Sequence, residues 1–133
     1  MSNTSKWREI SKVAWNVITV LSILVLVSMV GSKLQTGWSS VFSYRAFYIM
    51  SESMEPEIAV HQMVVGEHVP VDEELEVGGI YAYRREGIVG AIIIHRLISI
   101  TEDGKYQFKG DNNQLPDMEL VEREEIGYRI VLQ

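Results

Sequence analysis

The sequence predicts a mainly β protein, with one N-terminal transmembrane helix followed by a small β domain. An uncharged apolar segment lies close to the N-terminus. Beyond it, segments rich in β-branched and aromatic residues lie beside Gly and Pro, and no helical periodicity of useful length appears. With 133 residues, the chain has room for one compact domain and a small additional element.

The transmembrane helix is predicted at residues 13–32, a segment without any charged side chain. A helix of about 20 residues covers roughly 30 Å, the thickness of the hydrocarbon core of a bilayer. A cleaved signal peptide is the alternative, but its apolar region is normally about 7–15 residues long and ends in an A-x-A-like site. Because this segment is longer and no such site follows, we expect an uncleaved anchor.

Basic residues around the helix predict its orientation. Three precede it and two follow it, namely Lys6, Arg8, Lys12, Lys33 and Arg45. This bias places residues 1–12 in the cytoplasm as a tail and the β domain outside the cell membrane. Residues 33–45 are then a membrane-proximal linker.

Aromatic residues cluster directly after the helix, namely Trp38, Phe42, Tyr44, Phe47 and Tyr48. Such residues suit the headgroup layer of a membrane, where an amphipathic ring has one wet and one apolar side. They suit the core of a first strand equally well, and the sequence leaves both interpretations open.

The β domain is predicted over residues 46–133. Its candidate strands are QMVVGEHVPV, GGIYAYRR, the isoleucine-rich IVGAIIIHRLISI and the closing EEIGYRIVL. In TEDGKYQFKG, Asp103 and Gly104 lie between two strand-like segments, which is the strongest short hairpin signal. The acidic VDEELEVGG is predicted to be a solvated connector with no further role.

Composition excludes several classes of function. The formal net charge of −6 argues against a nucleic-acid partner, since phosphate binding requires a cationic surface. The chain has no cysteine, which rules out disulfides, zinc-thiolate sites and a cysteine nucleophile. The histidines and carboxylates do not show the spacing of a zinc site, so we expect neither a metal nor another cofactor.

Three places in the β domain could carry chemistry, and the first is SESMEP, which contains Ser51 and Ser53. A serine hydroxyl is a poor nucleophile at neutral pH and requires a neighbouring base. Taken alone, the motif is explained more simply as a polar turn after a strand.

The second place is His95, within the apolar segment IIIHRLISI. Histidine can accept and return a proton at neutral pH. A lone histidine in an apolar strand is nevertheless more often a hydrogen-bonded structural residue. His61 and His68 lack metal-binding spacing, and we expect both at the surface.

The third place is KGDNNQLPD, in which Gly-Asp-Asn-Asn is a turn by composition. The segment lacks the ligand pattern of a calcium loop. A tight turn beside a solvated acid is one interpretation. The other is a carboxylate that orients His95 and stabilises its imidazolium, as in a Ser-His-Asp set. Because Ser, His and Asp follow one another on one small domain, the joint pattern favours the second interpretation.

Together, SESMEP, IIIHRLISI and KGDNNQLPD after one N-terminal span resemble a type I signal peptidase. More narrowly, they resemble the endoplasmic-reticulum/archaeal type, which also occurs in some Gram-positive bacteria. The resemblance covers Phe47 to the C-terminus and implies an exterior β domain of the signal-peptidase type. It also implies a membrane-bound serine endopeptidase that removes signal peptides from secretory preproteins near the outer membrane surface. Preproteins and the lipid bilayer would be its partners, and the protein-export machinery is a further candidate.

The resemblance assigns roles residue by residue. Ser53, directly before Met, matches the nucleophile, and its backbone N–H together with the Ser51 hydroxyl matches the oxyanion hole. His95, followed by Arg, matches the branch that has histidine where the common bacterial type has a lysine base. Asp111 and Asp117 match the two aspartates of that branch. We expect Asp117 to be the partner of His95, and Asp111 to be a turn former or a second acid.

The sequence departs from the family pattern at Glu52, where the family usually has glycine between the two serines. Glycine tolerates backbone angles and a close approach of substrate that a Cβ resists. A carboxylate at this position is compatible with a forming oxyanion only when it points to solvent. The short connection between the His95 segment and Gly110 leaves no room for the large insertion domain of the bacterial enzymes.

Two other functions fit parts of the sequence. One is a non-catalytic relative, a membrane-anchored subunit of a processing or assembly complex in which Glu52 marks a lost site. The other is a Ser/Lys peptidase of the self-cleaving repressor kind, with Lys105 or Lys109 as the base. The predicted membrane span argues against the second.

Overall fold

The chain divides into two units, Met1–Phe42 and Ser43–Gln133. In this computed structural model, residues 3–36, 41–85 and 90–132 are described. The first unit consists mainly of helix α1, Asn3–Thr36. This helix contains the predicted span 13–32 and continues beyond it in both directions, into residues assigned above to the tail and the linker. The division into tail, span, linker and domain stays a prediction.

Helix α1 is long and apolar enough over Lys6–Gln35 to cross a membrane. Its polar side chains bond within the helix, since the hydroxyls of Thr19 and Ser22 each donate to a backbone carbonyl four residues earlier, at 2.9 Å. Such bonds satisfy polar groups that hydrocarbon cannot solvate, which explains why a spanning helix tolerates them.

The second unit is a six-stranded antiparallel sheet. Its strands are β1 (Tyr44–Tyr48), β2 (Met63–His68), β3 (Ile80–Arg84), β4 (Ile92–Ile100), β5 (Tyr106–Lys109) and β6 (Ile126–Leu132). Their spatial order is β1-β2-β6-β3-β4-β5, so the last strand of the chain lies between β2 and β3. The predicted class, an N-terminal apolar helix followed by a mainly β domain, is confirmed.

The predicted hairpin joins β4 to β5. Gly104 has a φ of +78°, which a side chain disfavours, and its N–H donates to the carbonyl of Thr101 at 3.0 Å. The Thr101 N–H donates in turn to the carbonyl of Lys105 at 2.9 Å. Asp103 and Gly104 therefore form the turn that the sequence predicted.

Strand alternation decides part of the question about the aromatic cluster. Phe47 is buried and packs edge-on against Tyr128, with ring centroids 5.4 Å apart. Tyr44 and Tyr48 are exposed, since side chains three residues and one residue away from Phe47 point to the other face of a strand. The core interpretation is correct for Phe47 alone, and Trp38 lies outside the described residues.

One buried apolar cluster joins strands β3, β4, β5 and β6 with the segments before β3 and before β6. Its buried members are Val69, Leu75, Tyr81, Tyr83, Leu97, Phe108, Val121 and Ile126. Full burial of a large apolar side chain stabilises a fold by about 1.5–3 kcal/mol. This cluster thus supports the segment that leads from β5 to β6, in which Asp117 lies.

Two predictions about the surface were wrong in part. The acidic connector is not only solvated, because Leu75 belongs to the core and the Glu73 carboxylate accepts from Arg129 at 2.5 Å. His68 is half-buried against the ring of Tyr128, and burial, followed by the charge of Arg123, lowers its pKa. Leu75 and His68 both contact residues that are distant in sequence, and local composition does not reveal such contacts.

Candidate active site

Ser53 lies in a single 3-10 turn, Glu52–Met54, that follows β1. Ser51 enters this turn in an extended conformation, with φ −133° and ψ 158°. Met54 is 1% exposed and its carbonyl accepts from the N–H of the buried Ile58 at 2.9 Å. The two apolar residues anchor the turn in the core, while Ser53 stays partly exposed.

Two serine hydroxyls and one histidine ring lie close together at this turn. The Oγ atoms of Ser51 and Ser53 are 3.1 Å apart. The Oγ of Ser53 is also 3.1 Å from Nε2 of His95, a residue of β4 that is 8% exposed. The serine turn and the histidine strand are thus brought within hydrogen-bond distance across 42 positions of sequence.

The other nitrogen of the His95 ring contacts Asp117, with Nδ1 2.7 Å from Oδ2. An ionised carboxylate has no proton to donate, so Nδ1 carries the hydrogen and donates it. Nε2 is then unprotonated in the neutral ring and accepts from the hydroxyl of Ser53. The result is a directed chain of hydrogen bonds from Ser53 through His95 to Asp117.

Asp117 is held by its backbone as well as by its side chain. Its N–H donates to the carbonyl of Phe108 at 2.9 Å, and its carbonyl accepts from the Gln107 amide at 2.6 Å. The hydroxyl of Tyr83 donates to Oδ2 at 2.6 Å. Burial by itself would raise the pKa of Asp117, but the hydrogen bonds from His95 and Tyr83 outweigh it. The pKa of Asp117 therefore lies below its ordinary value, and the carboxylate is ionised at neutral pH.

Asp111 has a different partner. It accepts two hydrogen bonds from Arg96, at 2.9 Å from Nε and 2.6 Å from Nη2. The Arg96 Nη1 donates to the carbonyl of Gly78 at 2.7 Å. The hydrogen bond to Asp111 raises the pKa of Arg96. Asp111 thus fixes the turn that it begins, and it does not join the Ser-His-Asp chain.

The Gly-Asp-Asn-Asn turn packs directly against the serine turn. The backbone N–H of Asn112 donates to the carbonyl of Ser53 at 2.9 Å, and its side-chain amide donates to the carbonyl of Glu52 at 3.1 Å. A Cβ added at Gly110 would lie 2.6 Å from the Ser53 carbonyl oxygen, closer than any real Cβ contact. Gly110 is needed here because the two backbones approach so closely.

A comparison with curated proteins adds an independent observation. The chain is similar to a signal peptidase. It is 26% identical over 120 residues to "Signal peptidase I W" of Bacillus subtilis (strain 168). The aligned region covers 88% of this chain and 62% of that protein, so the chain spans less than two thirds of the relative's length. No family model matches the sequence.

The similarity and the fold together indicate a signal-peptidase-like β domain behind one membrane helix, and hence a single-pass membrane protein. Within the described ranges, no group of three histidines or carboxylates could hold a metal ion. The polar groups that converge at the serine turn are two hydroxyls, an imidazole and a carboxylate.

Glu52 occupies its position without backbone strain. Among the described residues, positive φ outside glycine occurs only at Phe42, Ser43 and His61. Glu52 therefore has a conformation that any L-residue adopts, and its side chain is exposed to solvent. The turn between the two serines does not require the glycine that the family usually has.

Lys105 is poorly suited to act as the base. Lys105 forms an ion pair with Glu122 at 2.7 Å, and this hydrogen bond raises the pKa of Lys105, which keeps it protonated. The atom within hydrogen-bond distance of the Ser53 hydroxyl is Nε2 of His95. These contacts disfavour the Ser/Lys alternative.

Sequence reasoning missed the residues that hold the site together: Tyr83, Gln107, Gly110 and Asn112. Asn112 and Gly110 belong to the quoted turn motif, and their proximity to Ser53 depends on how two distant turns pack. Tyr83 appeared only as one aromatic residue of a strand. Its alternation with Tyr81 was a signal for a buried face, but not for a bond to Asp117.

An open cleft of about 1250 Å³ lies beside His95 and Asp117. Its lining includes Ile93 of β4 and the exposed side chains of Leu115 and Met118. Charged side chains such as Arg84, Lys105 and Glu119 also line the cleft, so its walls are mixed in polarity.

Proposed function

We propose that the protein is a membrane-bound serine endopeptidase that removes signal peptides from secretory preproteins. Ser53 is the nucleophile, His95 the general base and Asp117 the residue that orients the base. The observation that carries this proposal is the continuous hydrogen-bond chain, 3.1 Å from Ser53 to His95 and 2.7 Å from His95 to Asp117. The distant similarity to a signal peptidase supports the choice of substrate.

The reaction begins when Nε2 of His95 takes the hydroxyl proton of Ser53. Oγ of Ser53 attacks the scissile carbonyl, and the tetrahedral intermediate carries its negative charge on the former carbonyl oxygen. The His95 imidazolium then donates its proton to the leaving amine, and the bond to the amine breaks. Water, deprotonated by His95, hydrolyses the acyl-enzyme and restores Ser53.

Asp117 acts on this cycle without exchanging a proton. Its carboxylate accepts from Nδ1 of His95 at 2.7 Å, which keeps the ring in the tautomer with Nε2 free. When His95 becomes an imidazolium, the adjacent negative charge stabilises it. The depressed pKa of Asp117 is what this role requires, because a neutral acid could not stabilise the imidazolium.

The oxyanion is stabilised by the backbone N–H of Ser53 and the hydroxyl of Ser51. The two serine hydroxyls are 3.1 Å apart, so an oxygen that forms beside Ser53 is within reach of the hydroxyl of Ser51. Loss of one oxyanion donor typically lowers turnover by about 10²–10³-fold. We therefore expect Ser51→Ala to be impaired but active.

The narrower proposals concern type and place. The histidine in IIIHRLISI, followed by Arg96, supports the endoplasmic-reticulum/archaeal type. The unequal basic flanks support a cytoplasmic N-terminus and an exterior domain in the cell membrane. An anchor in the bilayer raises the effective concentration of the enzyme for membrane-bound preproteins without any new contact. Because the anchor would hold the enzyme in the same bilayer as these preproteins, the protein-export machinery is a further proposed partner.

The test is cleavage of a purified preprotein by the full chain in detergent micelles. We expect wild type to cut after small residues, Ser53→Ala to show no cleavage, and the exposed Ser99→Ala, on β4, to match wild type. Cleavage by Ser53→Ala at the wild-type rate overturns the mechanism, and strong cleavage by His95→Ala overturns the choice of base. A folded wild type that neither cleaves nor reacts with a serine-directed probe points to the non-catalytic subunit.

A further inference from the structure

Tyr83 is a buried residue of β3 whose hydroxyl is hydrogen-bonded to the carboxylate of Asp117. The side chain is 3% exposed, and its hydroxyl donates to Oδ2 of Asp117 at 2.6 Å. The same oxygen accepts from Nδ1 of His95 at 2.7 Å. Two donors therefore share one carboxylate oxygen.

The position of this hydroxyl is fixed by packing. The Tyr83 ring stacks on Phe108 with centroids 4.5 Å apart and an interplanar angle of 24°. The backbone carbonyl of Phe108 accepts from the N–H of Asp117 at 2.9 Å. Phe108 thus orients the tyrosine through its ring and the aspartate through its backbone, so donor and acceptor have one common support.

We propose that Tyr83 is a positioning residue, whose hydroxyl directs the Asp117 carboxylate and limits how strongly that carboxylate holds the His95 imidazolium. This inference rests on the proposed peptidase function. None of the motifs that led to the Ser-His-Asp set contains Tyr83.

The physical argument concerns the charge on Oδ2. A hydrogen bond from Tyr83 withdraws negative charge from the oxygen that faces His95. Without this bond the carboxylate can rotate and can pair more strongly with the imidazolium. His95 must be unprotonated to accept the proton of Ser53. If the imidazolium is held more strongly, a higher pH is needed before the enzyme becomes active. Loss of the hydroxyl therefore shifts the acid limb of the pH profile upward.

Charged groups from several packed elements act on this contact. His95 from β4 and Arg85 directly after β3 act on Asp117, while Arg85 and Glu119 act on Tyr83. Gln107 from β5 contacts Asp117 through an uncharged amide. Burial, then the hydrogen bond to Asp117, raises the pKa of Tyr83, so the hydroxyl remains a neutral donor over the working range.

The experiment compares Tyr83→Phe with Tyr81→Phe in the full chain in detergent. Tyr81 lies on the same strand, is 0% exposed and also contacts Phe108, with ring centroids 6.3 Å apart. Its hydroxyl accepts from the N–H of Glu76 at 3.0 Å, whereas the hydroxyl of Tyr83 donates to Asp117. Both variants lose one buried hydroxyl, which makes Tyr81→Phe the matched control for a purely structural effect.

We expect Tyr83→Phe to lower kcat about tenfold with little change in KM, since part of the roughly 10²–10⁴-fold effect of a general base is lost. The acid limb of kcat/KM should move upward by about half a pH unit. Tyr81→Phe should keep the wild-type profile. Incorporation of 3-fluorotyrosine at position 83, a stronger donor, should move the limb the other way. Identical pH profiles for all four proteins overturn the proposal.

A second readout separates this proposal from the peptidase function. The ring-proton signals of the three histidines can be followed by NMR through a pH titration, with His95→Gln to assign the signal of His95. If wild type cleaves no preprotein, the peptidase function fails. The positioning role is then still tested by NMR, because Tyr83→Phe should change the His95 titration if the Tyr83 hydroxyl controls the charge on Oδ2 of Asp117. A His95 titration unchanged by Tyr83→Phe overturns the positioning role, even in an active enzyme.

Discussion

Asp111 and Asp117 are six residues apart on one segment, and their side chains are 19% and 20% exposed. Their burial is the same, but their partners differ. Asp111 is paired through two hydrogen bonds with Arg96, a guanidinium that stays charged at every relevant pH. Asp117 is paired with His95, an imidazole that can accept and return a proton. The partner, and not the burial of the carboxylate, therefore separates a structural aspartate from one that can orient a proton-accepting histidine.

Among changes to the two aspartates and their turn, the largest effect is expected from Asp117→Asn. An asparagine amide can donate to Nδ1 and so favours the wrong tautomer of His95, and in a Ser-His-Asp set this lowers kcat by roughly 10⁴-fold. Single-turnover cleavage of a preprotein by the full chain measures the loss, and thermal unfolding serves as the control for folding. An equal loss of activity in Asp111→Asn would remove the distinction between the two aspartates.

The next effect is expected from Gly110→Ala, which moves the turn without touching either carboxylate. The new Cβ would lie 2.6 Å from the Ser53 carbonyl oxygen, so the serine turn must shift. Misplacement of a reacting group by about 1 Å can lower the rate by about 10²-fold. Cleavage kinetics measure the loss, and Gly31→Ala in helix α1, where nothing lies within 4 Å of the added Cβ, is the control.

If Gly110→Ala keeps the wild-type rate, the close packing of the two turns does not hold the nucleophile. If Gly110→Ala lowers stability but the folded fraction keeps its activity, Gly110 has a structural role, as Asp111 does.

A smaller effect on rate is expected from Asp111→Asn. The variant leaves the guanidinium of Arg96 without its carboxylate but keeps the contacts of His95, so the loss falls on stability. A hydrogen bond to a charged group contributes about 1.5–3 kcal/mol when the groups are shielded, and partial exposure reduces this. Chemical denaturation with a double-mutant cycle on Arg96→Gln measures the coupling. A cycle with no coupling energy contradicts the structural role.

The smallest effect is expected from pH, as a difference in stability between wild type and Asp117→Asn. The pKa of Asp117 lies below its ordinary value in the folded chain, because the hydrogen bonds from His95 and Tyr83 outweigh the effect of burial. A depressed pKa means that the ionised form stabilises the folded state above the ordinary value. This contribution is lost as the pH falls through the folded pKa.

Denaturation of wild type and Asp117→Asn from about pH 7 to about pH 2 tests this sign. Wild type should lose stability relative to the variant on acidification, most steeply below the ordinary range of a carboxyl group. A difference that is constant over the whole range contradicts a depressed pKa for Asp117.

The elements were predictable because each rests on a local signal. An uncharged segment of membrane length, β-branched strands and the Asp103-Gly104 turn specify helix α1, the sheet strands and the hairpin. The strand order was not predictable, since nothing local to β6 indicates that it pairs with both β2 and β3. Leu75 was missed for the same reason, because an acidic neighbourhood hides one residue that reaches the core.

The site divides in the same way. Ser53 and His95 were candidates from their motifs, and the resemblance to the signal-peptidase family singled out Asp117. The structure brings these three residues within hydrogen-bond distance. The bond from Tyr83 to Asp117 joins residues 34 positions apart and depends on the stacking with Phe108. A tyrosine in a strand is common, so only the three-dimensional packing distinguishes Tyr83 from Tyr81.

The central position of β6 has a consequence for biosynthesis. Strands β2 and β3 do not pair with each other, and each pairs with β6 in the middle of the sheet. During translation, Ser53, His95 and Asp117 are all synthesised before residues 126–132. The nascent chain therefore cannot close its sheet, or complete the core around Ile126, until this last strand emerges. Translation arrested before residue 126 should yield a nascent chain that carries every catalytic-type residue and remains inactive.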